Sequence, residues 1–346
     1  MDVKSDKNYG IKNKFINCMI KKIIVIVAAI FVFIGSDVKS QELGNKIGLV
    51  NGMYADRYLE PLALGLGMSL NSGYMGSGTF LHKTGNLPLN FSLTIGFNNS
   101  LVFLGNKYKS FSLNYFDSVL VNVNGTNKKV LANIAVNDAP TIFGGTEPAV
   151  ANISYEYNGQ QYSEQRKLIG GMTNLSALPF VVPQIGVGSF YGIDVTLRFL
   201  PRMTLGQYGE VMFTGFAVRY NLNSLLKKLP VDISVQTGLQ NFNILDTAGV
   251  KFFNGNSFFA NAQVSKSFMF VSVYGGVQYE QFNSEITYSY TTPAGENVGV
   301  YFEKKSSADV RGVVGASLNL SPILINADMN IGKQAMLTLG LAVGLK

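Results

Sequence analysis

The sequence predicts an all-β protein: a transmembrane antiparallel β-barrel of about 10–14 strands with a short N-terminal helical plug. Three observations point there. Only 14% of the residues are charged, against roughly 25% in soluble domains. Yet 47% are hydrophobic, and all but one stretch of that hydrophobicity is dispersed, not gathered into the runs of about 20 residues that a transmembrane helix needs. Much of the dispersed part falls on every second residue, the period of a strand with one apolar face.

The one apolar run, residues 23–34, follows Lys21 and Lys22 and precedes Gly35 and Ser36. A basic stretch, a short apolar segment and small residues make the pattern of an export signal. Cleavage is expected between Ser40 and Gln41, so residues 1–40 are read as the leader, and Met19 offers an alternative start. Cys18, the single cysteine, lies in that leader, so the exported chain has no disulfide to hold it. Seven of the 28 basic and three of the 21 acidic residues also fall there, which leaves 21 against 18. Net charge therefore gives little support to nucleic-acid binding, and no nucleic-acid partner is expected.

From about residue 190 onward, alternating segments follow one another. Ile193, Val195, Leu197 and Phe199 alternate with Asp194, Thr196 and Arg198. Ile323, Ile325, Ala327, Met329 and Ile331 alternate with Leu324, Asn326, Asp328 and Asn330, and Leu337, Leu339, Leu341 and Val343 with Thr338, Gly340, Ala342 and Gly344. Segments of about 9–13 residues suit tilted membrane strands. The second face is small, amidic or charged, as a barrel interior requires. Short links, such as 265–267 and 321–322, alternate with long ones at 243–256 and 283–307. That is the pattern of periplasmic turns and outer loops, and it gives eight strands from residue 190 to the C-terminus. Residues 286–302 are expected to carry one hairpin beyond the bilayer.

Upstream, residues 89–97 and 111–123 each alternate as one strand of a barrel domain read as 86–346. Residues 124–182, rich in Asn, Gly and Pro, are expected to form a large loop or inserted lobe. Residues 51–83 do not alternate. Tyr54, Tyr58, Leu59, Glu60, Pro61 and Leu62 fall in a stretch that reads as a short helix. Gly65, Gly67, Gly73, Gly76 and Gly78 then mark a turn-rich piece. Residues 41–85 are therefore expected to form a plug or hatch ahead of the barrel.

Two stretches carry a family resemblance. One is Tyr58-Leu59-Glu60-Pro61-Leu62 with Gly65-Leu66-Gly67 and Asn71-Ser72-Gly73; the other runs from Pro183-Gln184-Ile185-Gly186 into Ile193-Asp194-Val195-Thr196. Both resemble outer-membrane barrels of the Bacteroidetes/Chlorobi type. In plan the chain is similar to long-chain fatty-acid transporters, and that resemblance implies an N-terminal hatch and an amphiphilic, fatty-acid-like ligand. The chain departs from those transporters in being shorter and in ending on Leu345-Lys346 instead of an aromatic residue.

Catalytic signals are weak. His82 is the only imidazole, so the chain is not expected to be an enzyme, and no metal or cofactor is expected. Charges read on the inward face are Asp194, Arg198, Glu210, Arg219, Asp232, Asp309, Arg311 and Asp328. They are expected to line the lumen, because a lipid-facing Lys or Arg at the midplane costs about 2–4 kcal/mol. Phe252, Phe253, Phe258 and Phe259 read either as an apolar entry or as an interfacial girdle. The function expected is a channel or transporter for small hydrophobic molecules in the outer membrane of a Gram-negative bacterium, in contact with its lipid. The alternative is a barrel that anchors a surface or secretion complex without transporting.

Overall fold

A strand in lipid finds no water for its open edge, so a membrane sheet must close on itself. The computed structural model shows how this chain does so. It describes residues 52–76, 92–123, 125–172, 174–188, 191–204, 209–225, 229–245, 249–291, 297–305 and 309–345. The expected leader at 1–40 with Met19 and Cys18, His82, Gly78 and residues 41–51 and 77–85 of the expected plug lie outside these.

A helix, α1 (Gly52–Leu70), precedes β1 (Ser92–Phe103). Four strands follow as a separate sheet: β2 (Ser110–Val123), β3 (Thr126–Pro140), β4 (Val150–Tyr157) and β5 (Gln160–Lys167). The chain then makes β6 (Ala177–Gly188), β7 (Ile193–Thr204), β8 (Glu210–Asn221), β9 (Asp232–Leu245), β10 (Lys251–Phe268) and β11 (Val271–Thr291). It ends with β12 (Asn297–Lys305), β13 (Asp309–Leu320), β14 (Ile323–Ile331) and β15 (Met336–Leu345). Ten of these strands, β1, β6 to β11 and β13 to β15, form a closed antiparallel ring. The first and last barrel strands complete it, from Leu93 opposite Leu345 to Val102 opposite Met336. The upper part of β11 leaves the ring and pairs with β12, as the hairpin expected at 286–302.

The ring has two unlike ends. Short connections join β6 to β7, β10 to β11 and β13 to β14; this is the turn side. The β2–β5 lobe, the β11–β12 hairpin and the β9–β10 link stand at the other, the loop side. Alternation fixes the two faces. On β14 the exposed residues are Ile323, Ile325, Ala327, Met329 and Ile331, and the buried ones Leu324, Asn326, Asp328 and Asn330. The outward band on β10 spans positions 258–268, about 25 Å tall at ~3.3 Å per residue and ~40° tilt. Aromatic residues mark its limits. Phe258 packs on Tyr279 at 6.4 Å on the loop side; Phe268, Phe270 and Tyr191 are exposed on the turn side.

Two boundaries differ from the sequence reading. Strand β2, expected in the barrel, is the first strand of the lobe, which spans Ser110 to Lys167. Alternation marks a half-buried strand but not its sheet. Here a tight turn decides: Gly125 has φ +80 and its N–H donates to Asn122 Oδ1 at 2.9 Å, which folds β2 onto β3. Conversely, residues 177–182, expected in the lobe, belong to barrel strand β6. Its prolines, Pro179 and Pro183, hide the pattern. They are tolerated because β6 pairs with β7 only from Gln184–Arg198 to Gly188–Asp194. Toward the loop side β6 bonds to β1 alone, so Pro183 opposes Phe97 but needs no donor toward β7. Val181 and Val182 are both buried there, so alternation itself lapses.

Candidate plug and lumen

The helix is longer than its sequence suggests. It runs through Pro61, Gly65 and Gly67 to Leu70, although glycine normally weakens a helix interior. Close approach to the wall explains both glycines. A Cβ on Gly65 would lie 2.8 Å from Leu178, and one on Gly67 would lie 2.6 Å from the Phe282 ring. An α-helix with side chains is about 10–12 Å wide, and a ten-stranded ring is only slightly wider than the eight-stranded barrels that side chains alone can fill.

The outer half of α1 is tied to the base of the lobe. Tyr54 OH donates to Ile169 O at 3.4 Å, Tyr58 OH to Gly170 O at 3.1 Å, and Ile142 N to Tyr58 O at 3.0 Å. Tyr54 also packs on Phe111 at 5.0 Å. Burial, reinforced by a neighbouring tyrosine, raises both phenols well above the usual tyrosine value, so they stay protonated donors. Leu59 and Pro61 are buried, while Glu60 and Leu62 are half-buried. Glu60 accepts from Arg57 on the outer surface of the helix at 3.1 Å.

Below this, the lumen divides into two zones. On the loop side an aromatic chain crosses four strands: Phe180 lies 5.7 Å from Phe242, Phe242 lies 6.1 Å from Phe253, and Phe253 lies 6.4 Å from Phe282. Phe213 meets Phe180 edge-on at 6.4 Å. With Leu178 and Leu200 these rings line an apolar collar. On the turn side the interior is polar, with buried Gln184, Arg198, Arg219, Gln240, Gln278, Glu280, Arg311 and Asp328.

The end of the helix sits where the zones meet, and its last four carbonyls are all satisfied. Gly67 O accepts from Asn71 N, and Ser69 O from Ser72 N and Oγ. Met68 O accepts from Arg311 Nη1 at 3.3 Å, and Leu70 O from Arg198 Nη1 at 3.1 Å. A helix C-terminus carries partial negative charge and orphan carbonyls, and two arginines answer both needs. Beyond it, Gln240 donates to Asn71 Oδ1 and Gln278 to Asn71 O, both at 2.9 Å, and Asn98 donates to Gly73 O at 3.0 Å. The Arg198 guanidinium lies 3.5 Å from the Tyr74 ring centroid, and Phe259 packs on Tyr74 at 4.5 Å. Gly73 takes φ +70, with Asn98 and Thr338 against it. The cavity left between Met68, Asn71, Glu280 and Gln334 is about 20 Å³, room for roughly one water. Residues 65–76 therefore fill the lumen as a plug, with the first turns of α1 at the lobe base.

The chain belongs to a family of unknown function (DUF6588), whose profile matches residues 19–345. No curated protein matches it. Among solved structures it is similar to the outer membrane protein OmpT of Vibrio cholerae, at 11% identity and a TM-score of 0.25, covering 73% of this chain and 98% of that one. It is also similar to the translocator domain of autotransporter NalP from Neisseria meningitidis, at 9% identity and a TM-score of 0.32, covering 84% and 99%.

Of the eight charges read as inward, this member of the family buries five in the lumen: Asp194, Arg198, Arg219, Arg311 and Asp328. Asp194 and Arg219 form a buried ion pair across β7 and β8, with Nε to Oδ2 at 2.9 Å. Asp328 accepts from Tyr274 OH at 3.0 Å and from Asn330 at 2.6 Å. Asp232 and Asp309 share the inward parity but sit half-buried at the two rims, with Asp309 3.6 Å from Lys333. Glu210 is a correction. It has the parity of exposed Thr214 and Phe216, faces outward, and pairs with Arg202. The four phenylalanines also separate: Phe253 and Phe259 point inward, whereas Phe258 joins the outer band. The sequence reading missed Glu280, which lies 3.1 Å from Arg311 Nη2 and accepts from Gln278 at 3.1 Å. Its parity with Tyr274 and Gln278 on β11 was the available signal.

Proposed function

We propose that this protein is an outer-membrane conduit for small apolar or amphiphilic molecules, plugged by its own N-terminal segment and open to the bilayer between β6 and β7. The observation that carries the reading is the ladder between those strands. It stops at Gln184–Arg198 although both continue toward the loop side, to Ala177 and Thr204. Three prolines, Pro179, Pro183 and Pro201, lie in the unpaired stretch, and none can donate across it. Directly inside lie Leu178, Phe180 and Leu200, part of the apolar collar. A solute with a long apolar part would meet that collar first and would leave sideways, since the turn-side lumen is polar and filled by residues 70–76. On this reading the protein sits in the outer membrane and shares its plan with long-chain fatty-acid transporters and with barrels of the Bacteroidetes/Chlorobi type, which it resembles. The role is passage, not catalysis.

A double variant tests it. Had the ladder continued, Pro183 would oppose Phe199, so Pro183→Cys with Phe199→Cys places two thiols across the seam. In a deletion strain complemented with this variant, uptake of a labelled fatty acid should be lost on oxidation and restored by reductant. Uptake equal in the deletion and wild-type strains, or insensitive to the lock, would reject the reading. A scaffold role is favoured instead by the lobe, where Phe116 and Leu131 stand 71% and 66% exposed. They lie on adjacent strands, diagonal in the β2–β3 register. Exposed apolar pairs of this kind suit a protein partner. Normal fatty-acid uptake without the gene, together with recovery of a surface complex through the lobe, would favour it.

A further inference from the structure

The direction of α1 has a topological consequence. Its N-terminal turns contact the lobe base through Phe111, Ile142, Ile169 and Gly170, all on the loop side. Following the chain toward its C-terminus, Gly65 lies against Leu178 and Gly67 against Phe282 in the collar. Gly73 then lies against Asn98 and Thr338, and Gly76 against Asn326 and Tyr274, deep in the polar zone. Strand β1 begins at Ser92, opposite Gly188, at the turn side. The chain therefore enters the ring at the loop side, descends through it, and returns up the wall as β1. A hatch folded in from the turn side would run the other way.

We infer that the N-terminal end of α1 is displayed on the outer face of the cell, beside the lobe, so that the protein presents a composite outer surface built from both. This rests on the outer-membrane reading, in which longer loops face outward. Two features support display over burial at that end. Met53 and Arg57 are exposed, and the three hydrogen bonds to residues 142, 169 and 170 fix the first turns of the helix to a structure that stands outside the bilayer.

Single cysteines test the topology, since Cys18 is the only cysteine in the sequence and Cys18→Ser removes it. In that background Met53→Cys reports the helix end, Ser118→Cys the lobe, and Met269→Cys the β10–β11 turn, where Met269 is 91% exposed. Intact cells are treated with a membrane-impermeant maleimide. Met53→Cys and Ser118→Cys should label, and Met269→Cys should label only after the outer membrane is permeabilised. Labelling of Ser118→Cys alone, with Met53→Cys reached only after permeabilisation, overturns the threaded path while leaving the barrel's orientation intact. Labelling of Met269→Cys in intact cells, or recovery of all three in a soluble fraction, overturns the outer-membrane reading and this inference with it. If Met53→Cys does not assemble, Arg57→Cys, one turn further on, gives the same readout.

Discussion

The loop-side and turn-side halves of the lumen enclose the same segment by opposite means. On the loop side, Phe180, Phe213, Phe242, Phe253 and Phe282 form a buried apolar collar, and Gly65 and Gly67 let the helix backbone come close to Leu178 and Phe282 through non-directional contact. On the turn side, residues 68–74 are held by directed bonds from Arg198, Arg311, Gln240, Gln278 and Asn98. Apolar packing tolerates a small slide, because one hydrocarbon contact replaces another. A buried hydrogen-bond network does not, because every lost partner leaves a desolvated group. Within the lumen, the difference teaches where the plug is held in register: at its C-terminal end, with the collar serving as a sleeve between that end and the bonds of Tyr54 and Tyr58 to the lobe base.

The sharpest way to break this contrast is to unpair a charge. Asp194→Ala should destabilise the barrel by about 3–5 kcal/mol, since Arg219 is left buried without its partner. The drop should be read from thermal unfolding in detergent, and Arg219→Met added to it should recover most of the loss. If the double variant is no better than the single one, the pair is not what the turn-side wall depends on. In the collar, Phe242→Ala should cost about 3 kcal/mol, the low end for aromatic truncation, because the helix can settle into the space. Its effect should add to that of Asp194→Ala, as expected of independent sites. Arg198→Met should cost about 1–3 kcal/mol by leaving Leu70 O unsatisfied. It should also raise the frequency of open events in planar bilayers, and a silent variant would deny Arg198 its hold on the plug. Smallest of all, Tyr58→Phe should cost about 0.5–1.5 kcal/mol. Hydrogen exchange should quicken in the first turns of α1 while the turn-side bonds stay protected.

Much of the wall was legible because lipid imposes a strict rule on every second residue. Strands β7 to β11 and β13 to β15 follow it, and it carried Asp194, Arg198, Arg219, Arg311 and Asp328 to the inside. The rule fails where its physical cause is absent. Residues 177–183 of β6 are not a lipid-facing, doubly paired strand, so their pattern looks like loop. Strand β2 alternates because it too has a buried face, but on the lobe. Alternation also carries no depth, which is why Asp232 and Asp309 are inward in parity yet lie at the rims. The second half of α1 was hidden for a different reason: Gly65 and Gly67 look like helix breakers when read alone, and their fit becomes visible only beside Leu178 and Phe282. Glu210 was misread at a strand end, one residue out of phase with Val211 and Phe213, which point inward.

The half-unpaired β6–β7 boundary changes what sets the bore of this barrel. On the turn side the circumference is dictated by ten strands joined all round. On the loop side it is not, since one of the ten joints carries no backbone ladder. There the ring closes as far as the object inside it allows, and that object is α1. The helix thus acts as a mandrel as well as a stopper: drawn out, it would leave walls free to pinch inward or spread at that joint, and no fixed aperture behind.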